Sequence, residues 1–489
     1  MMVSPRTPVL VGVGQVNHAD GDAPEPVDLL VEAALRAAAD SGAPNILGHV
    51  ESVRVVRIVS RRYLDPGRLV ADSLRLNADH TVYTTDGGQT PQVLVNRAAL
   101  QIERGELDVV LIGGAEAWRT RRRYKRLGQT VPWTGHIEQT GPDENYGDEL
   151  QMTDYAERSV GLTDPVQAYP MFENALRAKH RRTFDEQQTV AATLWSRFSR
   201  VASRNPYAAI REVYTAQHIA SASAENRPIS VPYTKLMNSN SSVDQAAALL
   251  ICSAERADSL GVPRDRWIFL HGAAEANDVA FMSHRVDLAA SPAIRFAGEA
   301  VLRFAATNID EVAHVDLYSC FPSAVQIAAS ELGLALERQL TVTGGLTFAG
   351  GPWNNYVTHS IATMAGVLRE DPDSLGLCSA NGGLLTKHAV ALYGCRPPRH
   401  GTQLGNVQGL VNEVGAIEAV PDYKGVVSIE TYTVMYETSG EPKRAFLACR
   451  TDDARRVMAS GDHPELIAML LAEDPLNARV HVQAGRAVI

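Results

Sequence analysis

The sequence predicts an α/β protein of two like halves, with a long insertion between them and a β-rich tail. Three observations carry this. Strand-like apolar runs alternate with helix-spaced segments between residues 8 and 114, the same order returns between 267 and 383, and after about residue 401 the pattern changes to alternating strands.

In the first half, the run 8–14 is apolar and ends in glycines, so it reads as a buried strand leaving for a loop. Residues 27–39 carry apolar side chains at helical spacing and stop at Ser41-Gly42. Residues 53–59 are rich in β-branched side chains and read as a second strand, followed by a turn at Gly87-Gly88, a helix over 91–104 and a strand over 108–112. The second half repeats this with strands at 267–270, 314–317 and 375–378 and helices at 292–306 and 356–369. Residues 118–235 are polar, charged and partly helical, too long for a structureless connection, and read as a cap over a site. The tail, 401–489, offers strands at 426–436, 444–449 and 478–483 and a helix at 464–472, and reads as a small antiparallel β-barrel-like domain. The domains are thus 1–117, 118–235, 236–400 and 401–489.

With 489 residues and 45% hydrophobic content, the chain is a soluble globular protein of about three domains by length. A net charge of -10 argues against nucleic acid or an anionic membrane as the bulk partner. The five cysteines form no CxxC pair, so neither a disulfide framework nor a metal site is suggested, and a reducing cytoplasm fits. No apolar run reaches the roughly 20 residues of a membrane span, and residues 1–11 lack the basic end and apolar core of a signal peptide.

Four segments in order resemble the thiolase superfamily, nearest to the sterol-carrier-protein-type thiolases and the type 1 thiolase-like proteins of actinobacteria: RGELDVVLIGGAE (104–116), SSVDQAAALL (241–250), Tyr318-Ser319-Cys320-Phe321, and Gly344-Gly345-Leu346 with Gly350-Gly351-Pro352. The resemblance implies a duplicated five-layer αβαβα fold with an inserted loop domain. It also implies lipid-type acyltransferase chemistry, with an acyl-accepting cysteine, a histidine in a Gly-His-Pro motif and an acetyl-CoA acetyltransferase-like activity. Counting back from Gly105 puts the nucleophile position on Gly88, and the Gly-His-Pro histidine position is Gly351. A degenerate site of this kind is not expected to run ordinary thiolase chemistry.

Cys378 aligns with the family's second cysteine, the general base. Tyr318 stands where the family has Asn or His, and His359 lies early in the following helix. These three are the candidate catalytic residues. Against them, free cysteines such as Cys378 and Cys320 are commonly core residues, His359 reads equally as an ordinary helix-face histidine, and His388 has a weaker claim still, in or just past a strand with no partner in view. The run Arg121, Arg122, Arg123, Lys125 and Arg126 opens the insertion where relatives contact coenzyme A phosphates. The plainer reading is a solvated basic loop, or one paired with Asp143, Glu144, Asp148 and Glu149.

The leading expectation is a thiolase-like protein that binds coenzyme A or an acyl-CoA without acyl transfer, with no tightly held cofactor. One alternative is a retro-aldol carbon–carbon lyase on a CoA thioester. Another is a non-catalytic binding or scaffold protein whose tail engages a protein partner. Relatives dimerise through the strand before the nucleophile, here near Thr81 to Thr85, so monomer and dimer both stay open.

Overall fold

The computed structural model describes residues 3–133, 140–147, 149–472 and 474–488. Strand β1 (Pro8–Asn17) leads to helix α1 (Pro26–Asp40), which starts on a proline that needs no N–H partner. A Cβ on Gly12 or Gly14 would run into the carbonyls of Ala37 and Ala33, so glycines on the strand let the alanine face of α1 pack against the backbone. There follow β2 (Ser52–Val55), α2 (Pro66–Leu74), β3 (His80–Thr84), α3 (Thr90–Glu103) and β4 (Val109–Ala117). The strand expected over 53–59 stops at Val55, because the Glu116 carboxylate accepts the N–H groups of Val59 and Ser60 at 2.7 Å each and leads the chain into a loop.

The insertion is largely helical: α4 (Trp118–Arg126), β5 (Glu144–Tyr146), α5 (Tyr155–Val160), α6 (Pro165–His180), α7 (Phe184–Ala202) and α8 (Ala216–Ala220), then the short strands β6 (Pro228–Ser230) and β7 (Tyr233–Thr234). Next, β8 (Asp244–Ser253) is buried along its whole length and lies antiparallel between β1 and β4. The segment starting at 236, read from sequence as second half, therefore gives this strand to the first. Helix α9 (Ala254–Ser259) follows.

The second half contains β9 (Ile268–Asn277), α10 (Pro292–Ala305), β10 (His314–Asp316), α11 (Pro322–Glu331), α12 (Gly345–Phe348), α13 (Tyr356–Glu370), β11 (Leu375–Gly382) and β12 (Lys387–Gly394). Strand β13 (Gln403–Asn406) adds parallel to β9, and α14 (Gln408–Asn412) packs beside it. The strand order β3-β2-β4-β8-β1 in one half is matched by β10-β11-β12-β9 in the other, and β1 meets β9 at Val9↔Phe269 and Leu10↔Ile268. Helices α3 and α13 touch strands of both halves, α1 and α2 cover the outer face of the first, and α10 with α11 covers that of the second. This is the five-layer αβαβα arrangement.

The edge of β3, near which the resemblance led a dimer contact to be expected, is covered by the chain itself. Strand β5 pairs parallel to it, Val82↔Glu144 through Thr84↔Tyr146. Glu144 accepts two bonds from Arg97 at 2.5 and 2.6 Å, and Asp143 accepts the Thr81 N–H at 2.8 Å. A capped edge cannot template strand addition. These two acids are therefore spent on β3 and not on the basic run, and Asp148 lies outside the described residues. No described helix is long and apolar enough to cross a membrane.

The tail forms a closed five-stranded barrel from β14 (Lys424–Tyr436), β15 (Pro442–Arg450), β16 (Arg456–Gly461), β17 (Arg479–Gln483) and β18 (Arg486–Val488), with α15 (Pro464–Ala472) packed on it. The first barrel strand begins at Lys424, and ahead of it β13 and α14 lie against β9 of the second half. Strand β6 of the insertion pairs with β14 at Ser230↔Met435. Arg456, fully buried, grips Glu430 with two bonds at 2.8 and 2.7 Å and donates to the carbonyls of Met282 and Arg285. It is a clamp between barrel and second half. Arg456→Ala takes the donor from the Met282 and Arg285 carbonyls and leaves Glu430 to Arg450 alone, so stability falls by about 1–3 kcal/mol, read as a lower melting temperature with faster proteolysis between 396 and 424.

Candidate active site

The loop Asp86-Gly87-Gly88-Gln89 enters α3 and is pinned from three sides. The Gly87 N–H donates to Asn354 Oδ1 at 2.9 Å, Asn354 Nδ2 donates to the Arg57 carbonyl and Asp86 Oδ1, and Lys387 Nζ donates to the Asp86 carbonyl at 2.8 Å. At Gly88 an added Cβ would lie 2.5 Å from Tyr318 Oη and closer still to the Asn381 carbonyl oxygen. The phenol of Tyr318 thus fills the place where a nucleophilic side chain would begin. The Gly351 position differs, since a Cβ there meets only ordinary contacts at 3.5 Å from Asn240, Leu346 and Ser239. Space for a side chain survives at 351 and is lost at 88.

Tyr318 is held by its backbone N–H donating to Ser379 Oγ at 2.9 Å and by an edge-to-face contact with the Tyr356 ring at 5.4 Å. Burial, with Cys320 nearby, pushes its phenol far above the usual tyrosine range, so it keeps its proton. Cys320 is likewise buried and pushed up to about 12. Its Sγ receives Asn381 Nδ2 at 3.7 Å, and Asn381 also donates to Tyr169 Oη.

The other two catalytic candidates do not join Tyr318. Cys378 sits inside β11 opposite Asp316, with Ser360 and Tyr393 as neighbours, and burial followed by the Asp316 charge raises its thiol strongly. A thiol that holds its proton this firmly is no general base at neutral pH. His359 faces β1, with Nδ1 2.9 Å from Gln15 Oε1, and burial pushes it down to about 3. The reason is helical phase: Asn355, the residue capping α13 four positions earlier, reaches the Gly114 carbonyl at 2.6 Å, and the same side carries His359 to the strand. A cavity of about 1130 Å³ between α7 and α13 is lined by Gln15, Arg197, Arg204 and Arg369 and takes in none of Gly88, Tyr318 or Cys378.

The basic run is a helix, and its two faces differ. Arg119 and Arg123 bind Asp244 and Asp22, and Tyr124 also reaches Asp22. Arg123 is thereby removed from the expected phosphate set. Trp118, Arg121, Arg122, Lys125 and Arg126 fall at i, i+3, i+4, i+7 and i+8 on the other face, and its cations have no carboxylate partner among the described residues. Arg121 and Arg122 lie 4.9 and 5.3 Å from the Trp118 ring, and Arg122 donates to Ser241 Oγ at 3.0 Å. Trp353, directly after Gly350-Gly351-Pro352, is 44% exposed at φ 47° and sits 6.0 Å from Trp118. An exposed aromatic held in the left-handed region is a strained placement of the kind found at ligand sites.

The sequence reading missed Asn354, Asn381, Lys387 and the Trp118–Trp353 pair as parts of this site. The Asn354-Asn355 pair beside the Gly350-Gly351-Pro352 turn was the one available signal.

Two like α/β halves around central helices α3 and α13, with the Gly88 loop and Tyr318 at their junction, define a thiolase-fold protein. A family model for the additional C-terminal domain of thiolase-like protein type 1 matches residues 406–486. A monomeric SCP2-thiolase-like protein type 1 from Mycobacterium smegmatis is 32% identical with TM-score 0.85, covering 100% of both chains. The chain belongs to the type 1 SCP2-thiolase-like proteins. An acetyl-CoA acetyltransferase of Methanocaldococcus jannaschii is 24% identical over 54% of this chain, a match spanning 60% of that relative. The structure of the Ltp2-ChsH2 aldolase is similar in fold, at TM-score 0.59 and 19% identity, over 80% of this chain and 98% of that one.

Gly88→Cys forces a side chain against both the Asn381 carbonyl and the Tyr318 phenol and costs about 1–3 kcal/mol of stability. In a Tyr318→Ala background that penalty shrinks, which a double-mutant cycle of melting curves measures.

Proposed function

We propose that the protein binds a coenzyme A thioester in the cleft between the halves and acts on it without an acyl-enzyme, as a carbon–carbon lyase of the retro-aldol type. The observation that carries this is the Tyr318 hydroxyl at the place of the nucleophile's side chain, over Gly88. A glycine offers no atom to acylate, whereas a phenol there can exchange a proton with a substrate oxygen. In a retro-aldol cleavage the β-hydroxyl gives up its proton, the Cα–Cβ bond breaks, a carbonyl compound leaves, and the enolate of the shortened thioester takes a proton at Cα. The N-terminus of α3 behind Gly88 favours the negative charge that develops. The fold neighbour described as an aldolase is consistent with such chemistry on this scaffold.

The free face of α4 suits the phosphates of the coenzyme, and Trp118 with Trp353 suits its adenine. Calorimetry with coenzyme A and acetyl-CoA, with acetoacetyl-CoA thiolysis assayed on the same sample, is the test. Binding without thiolysis is expected, with Trp353→Ala weakening binding about tenfold, equivalent to about 1.4 kcal/mol. Tyr318→Phe is expected to abolish cleavage of a β-hydroxyacyl-CoA. Thiolysis above background would overturn the reading, and no binding at all would favour the scaffold role.

A further inference from the structure

A tyrosine whose proton is held by burial serves as a base only if that proton has somewhere to go. Beside Tyr318 lies a cavity of about 10 Å³ whose lining includes Ser379, Asn381, Leu385 and His388, the room of one water. Two polar atoms of these residues are buried with no protein partner, His388 Nδ1 and Asn381 Oδ1. The two residues face each other across the β11–β12 ladder. The other ring nitrogen, His388 Nε2, lies 3.3 Å from Asp278 Oδ2. Asp278 in turn accepts the Ser291 hydroxyl and the Ala293 N–H at the start of α10. A ring whose Nε2–H points to a fixed carboxylate carries its lone pair on Nδ1.

We propose that His388, positioned by Asp278, is the proton store of the Tyr318 site, coupled to the phenol through one water that also meets Asn381 Oδ1. This rests on reading Tyr318 as the proton-exchanging group. As the substrate's β-hydroxyl proton moves to Tyr318 Oη, the phenol proton passes to the water and a water proton to His388 Nδ1. The imidazolium forms beside the Asp278 carboxylate. The electron pair of the breaking Cα–Cβ bond becomes the enolate, and the proton returns along the same path to Cα, so no oxidant or co-reactant is needed. Burial alone would raise the Asp278 carboxyl, yet His388 and then Arg285 hold it below the usual range, as suits the anion of such a pair. The other polar groups around the relay are Arg285, bonded to Thr386 and the Leu384 carbonyl, Glu331 accepting the Ser291 N–H, and Cys320 beside the phenol.

Protein labelled with [13Cζ]tyrosine, with Tyr318 assigned by loss of its signal in Tyr318→Phe, tests the relay without a substrate. The Tyr318 resonance is expected to move with pH in the native protein and to be flat in His388→Gln. That variant keeps an N–H toward Asp278, so the cap on α10 and the fold persist. A resonance flat in the native protein, or one moving identically in the variant, overturns the proposal. A coupled titration in a protein that cleaves no β-hydroxyacyl-CoA would uphold the relay and overturn the lyase reading. Turnover with the same pH profile in His388→Gln would do the reverse.

Discussion

The contact between the Tyr318 phenol and the backbone at Gly88 is the constraint on which the rest of the site depends. Close packing leaves one volume for either a nucleophile's side chain or a phenol, and here the phenol has it. Once Gly88 is fixed, the loop needs other anchors, and Asn354, Lys387 and Thr90 supply them through bonds to Gly87 and Asp86. Cys378 is then left as a packed thiol against Asp316, with no acyl group to receive a proton from. The packing around Gly88, Tyr318 and Cys378 is therefore one connected arrangement.

The chain also closes an edge of its own sheet and fixes its barrel to the body. Strand β5 covers the edge of β3, and the barrel is tied to the body by β6 and by Arg456. Both devices draw on the insertion or the tail, the two regions added to the duplicated core. A buried arginine bonded on all sides, as Arg456 is, makes the barrel part of the body.

Much of the fold was legible because it rests on periodicity. The helices over 27–39 and 464–472 and the strand over 426–436 carry their spacing openly, and α1, α15 and β14 lie there. Strand β8 was misassigned because a wholly apolar run such as AAALLIC reads the same in either sheet; only its pairing with β1 and β4 places it. Strand β5 is three polar residues with no apolar signature, and β16 starts on a buried arginine, so neither announced itself. In the site, the glycines at 88 and 351 could be counted from motifs. The facing of His359 could not, because it is set by helix phase against β1. His388 and Asp278 stand 110 positions apart, and only the β9–β12 pairing brings them together.

The most direct measurement of the central claim is intact-protein mass spectrometry after incubation with acetoacetyl-CoA and acetyl-CoA at neutral pH. With the Tyr318 phenol in the nucleophile's place and every thiol near it buried and protonated, the account predicts an unchanged mass at all times. A stoichiometric acyl adduct, above all one mapping to Cys320 or Cys378, would contradict it.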